Sequence, residues 1–196
     1  MKLNSSGGKN SWDPKKYLNI WVCDLINSQG GGQTLGYAYL PGLLSGFGQN
    51  AWKDGLVVDY RYFGTNGIAA PSSDGRTATH EIGHYLGLNH TFSEGNYPSY
   101  SCLDANNNPI CCDRDGGNVD DTPATSDVYW GNVTSTTNNN TCNDLSYANV
   151  FTTDVLDMDE NFMSYATATW MFSQGQVDVM MATLNASEMN GGRSSL

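Results

Sequence analysis

The chain has three histidines, and all of them fall in one segment, His80-Glu81-Ile82-Gly83-His84-Tyr85-Leu86-Gly87-Leu88-Asn89-His90. Imidazoles four residues apart project from one face of a helix and can share a metal ion. Glu81 stands beside them and reaches a water on that metal without itself being a ligand. A continuing helix would carry His90 nearly three turns away from His80, but Gly87 permits the left-handed backbone that bends the chain back. Three neutral imidazoles on one side of a tetrahedron leave the fourth position for water, as in a catalytic zinc site rather than a closed structural one. A bare H-E-x-x-H arises by chance in proteins that are not enzymes. The full H-E-x-x-H-x-x-G-x-x-H is far more restrictive, and with no histidine elsewhere it is not a product of scatter.

Those ligands need a helix and something to hold it. The pattern turns helical over residues 74–86, and Gly87 stops it as C-terminal glycines do. Ahead of it lie three apolar segments: a buried strand at 17–25, a short strand at 35–40 stopped by Pro41, and a third over 56–63. Residues 91–160 show little periodicity, so their order is expected from disulfides and bound cations rather than apolar burial. Ser173-Gln174-Gly175-Gln176 forms a capping box that opens a last helix. There Val177, Met180, Met181 and Leu184 repeat at core spacing. Residues 185–196 read as a frayed tail.

Length and composition bound the rest. The 196 residues suit one domain, and the 39% apolar fraction permits a core. A formal charge of −11 argues against nucleic acid and anionic membranes as partners. No apolar run approaches the roughly 18 residues of a membrane helix. Four of the five cysteines fall between 102 and 142, while Cys23 stands alone. Without a nearby histidine, that cluster reads as disulfides formed in an oxidising compartment, and four cysteines allow three pairings.

The zinc motif followed by Asn161-Phe162-Met163-Ser164-Tyr165 resembles the metzincin metallopeptidases, and within them the pappalysin family. Tyr17-Leu18-Asn19-Ile20-Trp21-Val22-Cys23, Gly36-Tyr37-Ala38, Val119-Asp120-Asp121-Thr122-Pro123 and Phe172-Ser173-Gln174-Gly175-Gln176 extend the likeness over nearly the whole chain. The resemblance implies an α+β fold: a small mixed sheet and active-site helix over about 1–87, and a loop-rich lower part over about 88–196. It implies that His80, His84 and His90 bind one catalytic zinc and that Glu81 is the general base. Met163 would form the hydrophobic floor beneath the metal, and Tyr165 would stabilise the tetrahedral oxyanion. Gly36, Tyr37 and Ala38 would belong to an edge strand that pairs with an extended substrate. Structural calcium would take Asp113, Asp115, Asp120, Asp121, Thr122 and the carbonyl of Val119. The activity implied is zinc-dependent endopeptidase cleavage of extracellular proteins or peptides by a monomer. The rival expectation is a non-catalytic extracellular module, or a truncated metzincin, that keeps the zinc; the intact Glu81 favours the enzyme.

Three departures from the family pattern carry expectations of their own. Where pappalysins place an Asp three residues after the methionine-turn tyrosine, to attract Arg or Lys into the S1′ pocket, this chain has Ala168. A weaker or different preference is expected. Both halves of one family bridge are missing, so the resemblance leaves Cys112 with Cys142, and Cys102 with Cys111. The strand, long helix and strand that open the metzincin upper part do not precede the segment at 17–23, so the catalytic domain is expected to be N-terminally incomplete, with its signal peptide upstream.

Overall fold

Leu56-Val57-Val58-Asp59 is fully buried, and a strand apolar along its whole length is one covered on both faces. In the computed structural model these residues are strand β3 (Leu56–Asp59), the centre of a three-stranded mixed sheet ordered β1-β3-β2. The structure describes residues 1–25, 33–42, 50–65, 74–92, 119–146, 151–187, 192–194 and 196. They form two compact units, Met1–Gly87 with Met180–Leu196, and Leu88–Val179.

In the first unit, β1 (Ile20–Cys23) runs parallel to β3 with Ile20 opposite Leu56 and Cys23 opposite Asp59. Strand β2 (Gly36–Ala38) is antiparallel to β3, with Gly36 opposite Val58 and Ala38 opposite Leu56. The expected strands are present but shorter, because β3 offers only four residues before the chain turns into a 3-10 turn at Tyr60–Tyr62. The expectation that the first strand is buried holds for one face only. Trp21 is inside, whereas Ile20 and Val22 are 42% and 46% exposed, the alternation of a half-covered strand. The Lys2 ammonium lies 4.6 Å from the Trp21 ring centroid and about as close to those of Tyr37 and Tyr39. Burial pulls its pKa down to about 8.

Helix α1 (Thr77–Tyr85) packs on β2 and β3. It starts three residues later than the pattern predicts. Asp74 is spent on a turn, accepting from the Arg76 amide at 3.0 Å, and Gly75 takes a φ of 73°. The described residues of the tail are tied down where fraying is expected. The Arg193 amide bonds the Thr183 carbonyl at 2.7 Å and Ser194 bonds Ala186 at 3.0 Å, with the Arg193 side chain buried.

The second unit contains isolated bridges, Asn132 with Thr167 and Asn161 with Met171, and no longer sheet among its described residues. Buried carboxylates do much of the work that a ladder would do. Asp144 accepts from the amides of Ala124 (2.9 Å) and Val155 (3.1 Å), and Asp157 accepts from that of Thr141. Helix α2 (Gln174–Asn185) begins in this unit with the predicted capping box. Ser173 Oγ accepts from the Gln176 amide at 3.1 Å, and Gln176 Oε1 accepts from the Ser173 amide at 2.9 Å. The apolar stripe is another matter. Val177 and Met181 are 37% and 50% exposed, and the side chain that α2 buries most is Gln176. Met180 and Leu184 are half-buried, so the cap adds to a partly covered apolar face in holding this helix.

Asp59 shows how polar groups close the first unit. Its carboxylate accepts from Arg61 Nε (2.8 Å) and Nη2 (2.6 Å) and from the amides of Leu25 and Arg61, each at 2.9 Å. The Arg61 guanidinium holds the carboxyl down to about 2. Because that lies below the unfolded value near 3.9, the stabilisation is complete above about pH 4 and is lost as pH falls towards 2. Asp59→Asn should lower stability at neutral pH by about 2 kcal/mol and flatten its dependence between pH 4 and 2, as read by denaturant melts across that window.

Candidate metal centre

Helix α1 places His80 and His84 one turn apart, so their rings meet edge to face at 4.7 Å and 84°. Their Nε2 atoms are 3.1 Å apart. Two nitrogens bound to one zinc at a tetrahedral angle stand about 3.3 Å apart, so the pair is already at ligand spacing. After Tyr85 the helix closes through bonds from the Leu86 amide to the Ile82 carbonyl and from the Gly87 amide to the His84 carbonyl, both 2.9 Å. Gly87 takes a φ of 101°, the positive-φ conformation that the sequence motif requires. Along this segment the ligand nitrogens of His80, His84 and His90 all lie within 4.8 Å of one another, and each ring is half-buried.

Glu81 is 5% exposed and its Oε2 has no hydrogen-bond partner. Burial alone pushes its pKa up to about 8; a dication beside it would pull the value down again. An unpartnered carboxylate oxygen next to two imidazoles at ligand spacing fits a metal that carries water. Gly36 explains how the carboxylate reaches its place. A Cβ built on Gly36 would come within 2.8 Å of Glu81 Oε1 and 2.9 Å of the Val57 carbonyl. The sequence groups Gly36 with Tyr37 and Ala38 on a substrate-facing strand, and all three do lie on β2 at the edge of the sheet. The close approach to Glu81 has no sequence signal, because a glycine in a strand does not say what abuts it.

In the second unit, Met163 is fully buried. Its amide bonds Asn161 Oδ1 at 2.9 Å, and its carbonyl accepts from the Thr91 amide, next to His90, at 3.3 Å. Asn161 is held by Gln176 through two side-chain bonds of 2.7 and 3.1 Å. The methionine turn is thus tied both to the His90 segment and to the start of α2. The Tyr165 ring packs 4.7 Å from His90 and 4.8 Å from Phe92, while His90 and Phe92 stack at 4.8 Å and 10°. Trp130, which the sequence does not single out, closes on Tyr165 at 5.1 Å while remaining 70% exposed. No spacing links positions 130 and 165, so only the fold brings them together.

The remaining predicted residues divide. Val119 and Thr122 are buried. Asp121 accepts from Ser173 Oγ at 2.7 Å and the Gly175 amide at 2.9 Å, so it braces the α2 N-terminus, where a carboxylate is favoured. Asp120 is exposed. Asp113, Asp115, Cys102, Cys111 and Cys112 lie outside the described residues. Cys142 is buried and disulfide-bonded, and Cys23 is a free thiol. Ala168 has a φ of 61°, an uncommon conformation for a residue with a Cβ.

Comparison with known proteins places this geometry. A family model for M43 peptidases, described as pregnancy-associated plasma protein-A, matches residues 3–185. An extracellular metalloprotease of Arthroderma gypseum is 29% identical over 184 residues, which cover 92% of this chain and 50% of that protein. One from Arthroderma otae is 34% identical over 124 residues, or 61% of this chain and 37% of that one. The fold is similar to that of mature mirolysin from Tannerella forsythia, solved with a cleaved peptide. The TM-score is 0.70 at 30% identity, over 99% of this chain and 61% of that chain. The chain therefore spans about half the length of the first of these relatives. The family match over residues 3–185, together with the shared α+β metzincin fold, makes this chain a member of the M43 peptidases.

Proposed function

We propose that the chain is the catalytic domain of a zinc-dependent endopeptidase that cleaves proteins or peptides outside the cell. The observation that carries this is the set of three imidazoles with ligand nitrogens within 4.8 Å of one another, together with a buried Glu81 oxygen on the same helix as two of them that has no partner. His80, His84 and His90 would hold zinc, which when bound would supply the Lewis acidity to activate water and polarise the scissile carbonyl. Glu81 accepts the proton of the attacking water and passes it to the leaving amine. The Tyr165 hydroxyl, on a ring packed against His90, donates to the developing oxyanion, and buried Met163 gives the site an apolar floor. The outer edge of β2, unpaired among the described residues, would supply main-chain hydrogen bonds to an extended substrate. The extracellular names of the relatives support secretion, and no described helix is long and apolar enough to cross a membrane.

The proposal extends to a structural calcium on Asp113, Asp115, Asp120, Asp121, Thr122 and the Val119 carbonyl. It also includes disulfides joining Cys112 to Cys142 and Cys102 to Cys111, and a monomeric chain. Calcium that binds the folded chain alone raises its melting temperature. Excess calcium added to zinc-saturated protein should therefore shift the melt upward, and an unchanged melt would remove calcium from this account.

The activity itself is tested by casein turnover with and without a zinc chelator, beside Glu81→Ala. Chelation should abolish turnover. Glu81→Ala should lower kcat by about 10²–10⁴-fold while bound zinc, measured by metal analysis, stays at the level of the unaltered protein. A non-catalytic zinc module would bind the metal equally and cleave nothing in any sample.

Specificity has its own test at Ala168. Asp tolerates left-handed backbone better than most residues, so Ala168→Asp keeps the observed turn while supplying the charge that relatives place there. A peptide library cut by this variant should shift towards Arg and Lys after the scissile bond. Strict cleavage before Arg or Lys by the unaltered chain would overturn the expectation.

A further inference from the structure

Arg193 lies in the segment whose composition predicts fraying, yet its side chain is 4% exposed. Its guanidinium forms a two-pronged pair with Asp54, itself 3% exposed, through Nη1 to Oδ2 at 2.6 Å and Nη2 to Oδ1 at 3.0 Å. The third donor, Nε, bonds the Tyr85 carbonyl at 2.8 Å. The guanidinium carbon sits 3.4 Å from the Tyr85 ring centroid. Tyr85 is the last residue of α1, directly after His84, and its carbonyl is one of those that a helix end leaves without an intrahelical donor. A cation there also faces the negative end of the helix dipole. Asp54 immediately precedes Gly55 and β3, so one buried side chain fastens the end of the histidine helix to the entry of the central strand.

We propose that Arg193 is a positioning residue for the metal centre. By capping α1 at Tyr85 and stacking on its ring, it fixes the last helical turn, and with it the His84 ring and the start of the turn at Gly87. The inference rests on the reading of His80, His84 and His90 as a metal site. A purely structural role would cost stability and leave the folded protein's metal affinity unchanged. Removing a group that orients a ligand typically costs 10–100-fold in affinity.

The test is a cobalt(II) titration followed by visible absorption, with zinc affinity measured by chelator competition. The samples are the unaltered chain, R193M and R193K, each checked for folding by near-ultraviolet circular dichroism. In folded R193M the cobalt and zinc dissociation constants should rise about tenfold or more, with a broadened cobalt band. R193K, which keeps the charge without the planar fork, should fall between R193M and the unaltered chain. If R193M does not fold, R193K decides by the same measurement. Affinities within twofold of the unaltered chain in the folded variant, with only the melting temperature lowered, would overturn the inference. Failure of the unaltered chain to take up cobalt would instead overturn the metal-site reading.

Discussion

Two imidazole nitrogens 3.1 Å apart require a shared proton or a shared cation between them, since two unprotonated lone pairs repel at that distance. In the first unit several contacts converge on the helix that imposes this spacing. Sheet strands β2 and β3 pack against it, and the absent side chain of Gly36 lets the Glu81 carboxylate lie against β2. Arg193 closes its far end. A helix of nine residues would be marginal alone in water. Its rigidity comes from these neighbours, which is why a small sheet suffices to present a metal site.

The second unit solves a different problem. Beside buried apolar side chains such as Leu88, Val119 and Met163, carboxylates turned inward serve as acceptors for backbone amides among its described residues. Asp144 is fully buried, and Asp157 and Asp159 are nearly so. Desolvation raises the latter two above the usual carboxylate range, opposed by donors from Thr141 and Asn139. Part of the acidic excess is therefore an interior feature and not a solvated surface. The aromatic group of His90, Phe92, Tyr165 and Trp130 adds a cohesive patch.

What could be read from the sequence follows from the range of each interaction. The i, i+4 histidines, the glycine that ends their helix and the Ser173–Gln176 cap depend on neighbours within a few residues, and each appears as expected. The three strands were visible as apolar segments, but their lengths depend on a partner strand and came out shorter. Long-range polar contacts left no trace: Arg193 with Asp54 joins residues 139 positions apart. The apolar stripe of α2 is only partly covered, with Val177 and Met181 exposed and Met180 and Leu184 half-buried, since spacing marks a face without saying how much of it is covered.

The glycine at position 36 also shapes what β2 can read. Any side chain there would meet Glu81 or the Val57 carbonyl, so the strand presents peptide groups alone at this point. A ligand strand lying alongside would be gripped there by its backbone, whatever its residues. On the reading proposed above, any choice among side chains would fall to positions of β2 other than 36.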